Sequence, residues 1–324
     1  MSTVPDEPQN DLPADLHETL AEVVSQYYLE GRDQGAIAQN LAVSRSTVSR
    51  MISKARALGI VEIRVNRPLP PDEALQQQLV ERFGLSEALV LAGGRTRSGL
   101  LQRVAAMAAQ HVESRLADDG TIAISWGTSI AATVDALRGD VRHGVTVVQM
   151  IGATGSRNPD VDGAELARKM ARRLGGRFVT LNAPLLVDDA DLARALLRQR
   201  SVADVLDQAA GAQMALIGLG ALEPSVSSLL RAGFASEALL GRAARAGTVG
   251  DAAGHLLDAA GATAHSDLSD RIIRLDEERL RAIPCVVAVA VGLAKVDIVR
   301  AALRSGLVHV LATDADTARA VLDA

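Results

Sequence analysis

The sequence predicts an α/β protein with a separate all-helical N-terminal domain, and three observations carry that prediction. From Gln34 to Leu58 the apolar residues fall at the spacing of two short amphipathic helices around a tight break. At Asn66 to Pro71 the run NRPLPP places three prolines in a stiff linker. Beyond it, short apolar runs alternate with Ala-, Leu- and Arg-rich stretches of helical period, the pattern of a mainly parallel sheet covered on both faces. The expected division is a disordered tail over 1–14, a helix-turn-helix domain over 15–66, a linker over 67–72 and an α/β domain over 73–324.

Each element has a local reason. Met1 to Pro13 is polar and acidic with Pro5, Pro8 and Pro13, a composition that stays disordered. Leu16 to Leu29 carries Leu16, Leu20, Val23, Val24 and Tyr27 on one side, a helix able to cover the two that follow. Gln34 to Leu41 puts Ile37, Ala38 and Leu41 on one face; Ala42-Val43 breaks it; Ser44 stands where an N-cap belongs. Arg45 to Leu58 then buries Val48, Met51, Ile52, Ala55 and Leu58, and Gly59 stops it. The opposite face shows Ser46, Ser49, Arg50 and Ser53, flanked by Arg45 and Thr47. Small side chains with Arg suit a helix entering a major groove. An ordinary helical hairpin with a solvated face is the alternative. Charge favours DNA: residues 1–43 hold eight acids against Arg32, whereas 44–67 hold six bases, Lys54 among them, against Glu62. Ile60 to Val65 alternates as a short strand does.

In the second domain the strand candidates are Ala88–Ala92, Thr121–Ser125, Val145–Met150, Arg177–Thr180, Met214–Ile217, Arg271–Ile273, Val286–Val291 and Val308–Ala312. Helices are expected at Glu73–Phe83, Leu100–Leu116, Ile130–Leu137, Ala164–Leu174, Val202–Ala210, Glu277–Ala282, Val296–Arg304 and Thr317–Leu322. Leu219 to Ser269, rich in Ala and Gly, resists parsing. In such sheets ligands lie at the carboxyl ends of strands, against following helix N-termini. Gly127, Thr128 and Ser129 after Thr121–Ser125 would fit a phosphate. Gly292-Leu293-Ala294-Lys295 gives an open turn with one cation, and Asp251 in a Gly turn could accept from sugar hydroxyls. Each of these also has a plain reading as a cap or a solvated charge, and Thr313-Asp314 reads as capping.

Composition excludes several classes. Net charge of −5 rules out a general polyanion binder, so nucleic-acid affinity must be local and is expected to require two copies of the head to become strong. Six scattered aromatics do not make a base-stacking platform. Cys285, the single cysteine, forbids an intrachain disulfide and suits a reducing cytoplasm. The longest uncharged runs, Gly120–Val134 and Gln208–Leu222, reach 15 residues and contain Gly and polar side chains, so no membrane span is expected. No basic-then-apolar leader precedes the helices. No Walker loop or full GxGxxG occurs, the six His show no metal-ligand spacing, and no cofactor is implied.

The stretch SRSTVSRMISKARALGIVEI closely resembles the helix-turn-helix signature of the SorC family of bacterial sugar-responsive transcriptional regulators. SWGTSIAATVDAL resembles that family's phosphate-loop segment, and VGLAKVDIVRAALRSGLVHVLATDADTARAVL its C-terminal signature. The likeness runs from about Leu16 to Leu322. It implies DNA contacts from Arg45, Ser46, Thr47, Ser49, Arg50 and Lys54. It implies an effector domain similar in fold to phosphosugar isomerases and deaminases, which binds a phosphorylated sugar or a polyol and holds a tetramer together. Gly127, Thr128 and Ser129 match the family's phosphate contacts, Asp251 a hydroxyl contact, and Gly292 and Lys295 the turn beside the sugar. Ser125 stands where glycine is common, and Leu293 replaces the second glycine of the Gly-Gly-x-x-Lys turn. The rival reading is a phosphosugar isomerase or deaminase with an added DNA-binding head, which would need a general base and acid converging on substrate.

Overall fold

The computed structural model describes residues 14–61, 70–93, 99–139, 144–155 and 159–323, and the chain divides into two compact units, 1–67 and 68–324. The N-terminal unit is a three-helix core: α1 (Ala14–Tyr28), α2 (Gln34–Asn40) and α3 (Arg45–Ala57). Leu20, Val23 and Val24 of α1, Ile37 and Ala38 of α2, and Val48, Ile52 and Ala55 of α3 close on one another. The N-termini of α2 and α3 are both capped as their residue types require. Asp33 accepts from the N–H groups of Gly35 and Ala36, and the Ser44 hydroxyl accepts from Thr47 N–H at 3.1 Å. Between them Ala42 takes a left-handed φ of 51°, which makes the break abrupt. The expected strand Ile60–Val65 begins instead as a turn, with Ile60 N–H donating to Ala55 O behind Gly59; 62–65, the tail and 66–69 lie outside the described residues.

The second unit carries nine strands: β1 (Glu87–Leu91), β2 (Thr121–Ile124), β3 (Thr146–Gln149), β4 (Arg177–Val179), β5 (Met214–Ala221), β6 (Thr248–Ala252), β7 (His255–Asp258), β8 (Val286–Val289) and β9 (Val310–Asp314). Seven run parallel in the order β1-β9-β8-β5-β2-β3-β4. Strand side chains alternate, so one sheet buries two faces. Ile122 and Ile124 of β2 pack with the helices Leu100–Arg115, Thr128–Ala136 and Gly163–Leu174. Ala123, between them, faces the other side, where Glu73–Phe83, Arg200–Ala210, Val296–Arg304 and Ala315–Leu322 pack. Helices on both faces of a parallel sheet make the architecture doubly wound.

The chain winds outward through β2, β3 and β4, then returns to lay β5 on the other side of β2 and continues through β8 and β9. This reversal opens a crevice at the carboxyl ends of β2 and β5. Beyond its parallel part, β5 pairs antiparallel with β6 through Leu219↔Ala252, Gly220↔Asp251 and Ala221↔Gly250, and β7 pairs with β6.

The second unit departs from the sequence expectation in three places. Arg271–Ile273 is not a strand; Ser269–Arg271 is a 3-10 turn, and Ile272 and Arg274 make only isolated bridges to Leu186 and Ile151. The hairpin β6–β7 lies in the stretch that resisted parsing, because TVGDA carries Gly and Asp, which β-propensity disfavours. The helices Ala190–Leu197, Ser228–Arg231 and Glu237–Arg245 were likewise unforeseen, although Asp189, Ser227 and Ser236 cap them.

Candidate functional site

Two sets of groups are candidates for binding, one in each unit. On α3, Arg45, Ser46, Ser49, Arg50 and Lys54 are exposed and Thr47 is partly buried. The buried Val48, Ile52 and Ala55 hold the opposite side, so the polar row faces solvent by default. Ser44 Oγ lies 2.8 Å from both the Ser46 and the Thr47 hydroxyls, and Arg50 Nη2 lies 3.4 Å from Thr47 Oγ1. This network steadies the first turn and leaves the Arg50 fork with donors to spare. A guanidinium and short hydroxyls on one helix face can read base edges, and Lys54 one turn on can meet phosphate.

The other set lines one cavity at the carboxyl ends of β2, β5 and β8. Gly127, Thr128, Ser129, Asp251 and Lys295 meet there, with Ser125, Gly218, Gly220 and Ser228. Gly127 takes φ 114° and caps the helix Thr128–Ala136, a conformation that L side chains rarely adopt; its N–H donates to Val161 O. The first-turn N–H groups of that helix have no intrahelical acceptor, and with the dipole they favour an anion. Ser125 is buried, and its hydroxyl accepts from Gly218 N–H at 3.3 Å, joining β2 to β5 beneath the cavity.

Asp251 arrives from the antiparallel strand β6, opposite Gly220. A Cβ on Gly220 would overlap the Asp251 carboxylate, so this glycine makes room for the acid. Asp251 is buried, which pushes its carboxyl up to about 6; Gly254 N–H at 3.1 Å, Lys295 and Arg274 partly offset that rise. Burial likewise pulls the Lys295 ammonium below its ordinary range, against the pull of Asp251. Behind them Arg274 donates from Nε to His255 Nδ1 at 3.1 Å. His255 Nε2 therefore carries the proton and donates to Leu275 O at 3.0 Å, and burial beside Arg274 brings this imidazole down to about 3. The result is a neutral histidine bracing a buried arginine that supports the Asp251 charge.

Gly292 is not among the lining residues. Its N–H donates to Asp314 Oδ2 at 3.0 Å and Thr317 Oγ1 at 2.9 Å, which anchors the turn carrying Lys295. Asp314 also caps Thr317, so Asp314 is local capping, while the buried Thr313 hydroxyl has no partner among the described residues. Leu293, in the position of the family's second glycine, is 55% exposed and does not line the cavity. Sequence reasoning missed Gly218, Gly220 and Ser228. The signal for the first two was the Gly-Leu-Gly inside an apolar strand, since strand glycines mark close approach of another group. The cavity is narrow, about 30 Å³, and among the described residues no helix is long and apolar enough to cross a membrane.

Residues 70–323 match the family profile described as "Putative sugar-binding domain", and 14–57 match sigma-70 region 4, a helix-turn-helix type. The transcriptional regulator LsrR of Enterobacter sp. (strain 638) is 30% identical over 308 residues, 94% of this chain and 93% of that regulator. The deoxyribonucleoside regulator of Bacillus subtilis (strain 168) is 30% identical over 301 residues, 92% of this chain and 95% of its own. Among solved structures, the sugar-binding domain of a Vibrio fischeri transcriptional repressor aligns with TM-score 0.70 at 30% identity, over 78% of this chain and 98% of that one. The full-length sorbitol operon regulator SorC of Klebsiella pneumoniae aligns with TM-score 0.70 at 24% identity, over 95% of this chain and 100% of that one, and shares the fold.

A helix-turn-helix joined to a doubly wound domain with a polar cavity at its switch point defines a ligand-responsive transcription factor. The chain belongs to the SorC family of sugar-binding transcriptional regulators. It is a sugar-responsive, DNA-binding regulator, and its relatives are named as regulators and not as isomerases.

Proposed function

We propose that this regulator controls a carbohydrate-utilisation operon in the cytoplasm, as a homo-oligomer of tetrameric type, without turning over its effector. In this reading 15–66 binds operator DNA and 73–324 binds a phosphorylated sugar or polyol and holds the oligomer together. Thr128, Ser129 and the backbone at Gly127 receive the phosphate, Lys295 adds the cation, and Asp251 accepts from hydroxyls. The observation that carries it is the convergence of these five residues, from three distant parts of the chain, on one cavity.

The narrowness of that cavity bears on mechanism. At about 30 Å³ it is far below the roughly 300–1,000 Å³ of typical ligand sites, so the walls part to admit a sugar phosphate. Ser228, on one wall, opens a helix of only four residues. A ligand that prefers the opened arrangement shifts the oligomer toward it, and operator affinity follows. Linkage makes the coupling reciprocal, typically about 5–150-fold in such systems.

The test is operator binding by fluorescence anisotropy, titrated with a panel of phosphorylated and free sugars and polyols. At least one phosphorylated compound should change operator affinity. Lys295→Ala and Thr128→Val should each weaken that response and leave effector-free operator binding intact. Loss of effector-free binding in both variants would make the cavity structural. Turnover of any panel member would restore the enzyme reading, since Asp251 and Lys295 are an acid and a base in reach of one ligand.

A further inference from the structure

The effector cavity uses the carboxyl ends of the strands. The amino ends of β1, β5, β8 and β9 enclose a second cleft of about 420 Å³, inside the roughly 300–1,000 Å³ range of small-molecule sites. Glu87, His111, Arg115, Gln213, Cys285 and His309 line it, over an apolar floor that includes Met214 and Val310. We propose that this cleft is a second small-molecule site, one that takes a neutral planar heterocycle with amide-type edges, of the nucleobase kind.

The chemistry of the lining selects that class. Glu87 is the carboxylate of the cleft, and it is already compensated: Arg115 Nη2 lies 3.2 Å from Oε2 and His111 Nδ1 lies 3.5 Å from Oε1. Burial lowers both His111 and His309 below the ordinary imidazole range and raises the Cys285 thiol, so these three groups are neutral. With Arg115 paired to Glu87 and the histidines neutral, the lining carries no net positive charge for a phosphate, unlike the cavity at the other end. Hydrogen-bonding capacity does remain. His309 Nδ1 accepts from Val286 N–H at 3.0 Å, so its Nε2 carries the hydrogen and is a donor. Gln213 offers an amide donor and acceptor, and Glu87 has spare lone pairs. His111 is 7% exposed, and its Nε2 has no partner among the described residues. Donors and acceptors around an apolar floor match a flat lactam or amidine ring. A polyol has no apolar face to lay on Met214 and Val310.

Cys285 is the single cysteine of the chain, so a thiol reagent reports on this cleft alone. The experiment is alkylation of the full-length protein with N-ethylmaleimide at mildly alkaline pH, with and without uracil, hypoxanthine or adenine. One of these should slow alkylation about five-fold or more, the protection mass action gives once a probe exceeds its Kd several times over. Gln213→Ala and His309→Ala should abolish protection; Gln213→Ala keeps the test open where His309→Ala fails to fold, because His309 also holds Val286. Thr128→Val, at the opposite end of the sheet, should leave protection unchanged. The proposal is overturned if none of the probes protects, or if protection survives in the folded variants. It is equally overturned if Cys285 reacts only after denaturation, which would mean that the thiol is closed off from the cleft.

Discussion

The proposed DNA-binding face of α3 and the proposed effector cavity are built from the same few groups, hydroxyls and cations, yet they sit in opposite surroundings. On α3 the groups are exposed and rest on an apolar core that would form equally well beneath other polar residues. In the cavity Ser125, Ser129 and Asp251 are buried while Thr128 stands exposed at the rim, Gly220 makes room for the acid, and the Asp251 charge is resisted by its own surroundings. An exposed binding face therefore costs the fold almost nothing, whereas a buried one is held in place against its own desolvation. Stability and binding should separate cleanly on α3 and be entangled in the cavity.

The sharpest break of that contrast lies beneath α3. Ile52→Ala removes a side chain that is 1% exposed from a core of eight buried residues and should cost about 2–5 kcal/mol. Operator binding should vanish with the head's helical signal, while an effector-induced melting shift of the α/β unit persists. Loss of both would mean that the units do not fold independently.

Next in size is Asp251→Asn. A carboxyl whose pKa rises on folding binds protons better folded than unfolded, so stability falls as pH climbs from about 4 to about 6, and the whole penalty stands above that. The shift corresponds to at most about 3 kcal/mol. The variant should flatten this part of the pH–stability curve and be more stable than wild type at neutral pH, yet bind effector less well. Denaturant melts across pH 4–8, with calorimetry of effector binding, test both halves. A variant less stable at neutral pH would show that the Asp251 charge is well accommodated.

On the exposed side, Arg50→Ala should weaken operator binding by about 1–3 kcal/mol with little effect on random duplex, and leave the melting temperature unchanged. Equal losses on both duplexes would reassign Arg50 to the phosphate backbone. The smallest effect is expected from Ser44→Ala. It removes the cap on Thr47 N–H and should cost about 0.5–2 kcal/mol, read as faster hydrogen exchange in the first turn of α3.

The same contrast explains what the sequence could reveal. The helices of the head were legible because their causes are local: Ser44 caps, Ala42-Val43 breaks the chain, and Val48, Ile52 and Ala55 recur at helical spacing, whereas the strand expected from Ile60 begins as a turn and the Asp33 cap went unread. The parallel strands were legible as apolar runs, although β5 runs on through Gly218 and Gly220 to Ala221, past the Ile217 where its apolar run stops. Thr128, Ser129 and Lys295 stood out because they follow such runs. Asp251 stood out as an acid in a Gly turn, but the strand that delivers it did not, because its reason for extending is the pairing with β5 and not its own composition. Ser228 had no sequence signal at all; it is where it is because the segment after β5 folds back over the strand ends.

The turn that carries Lys295 is anchored by Asp314 and Thr317, close to the last helix of the chain. On the ribosome this has an order-of-events consequence. The head, whose described core closes between Leu20 and Ala55, can fold as soon as it emerges, since domains fold N-terminal first during synthesis. The Lys295 turn finds its anchor only after Thr317 has been made. A chain broken off between the two would carry a complete helix-turn-helix but leave the Lys295 turn, on the proposed site, without its anchor.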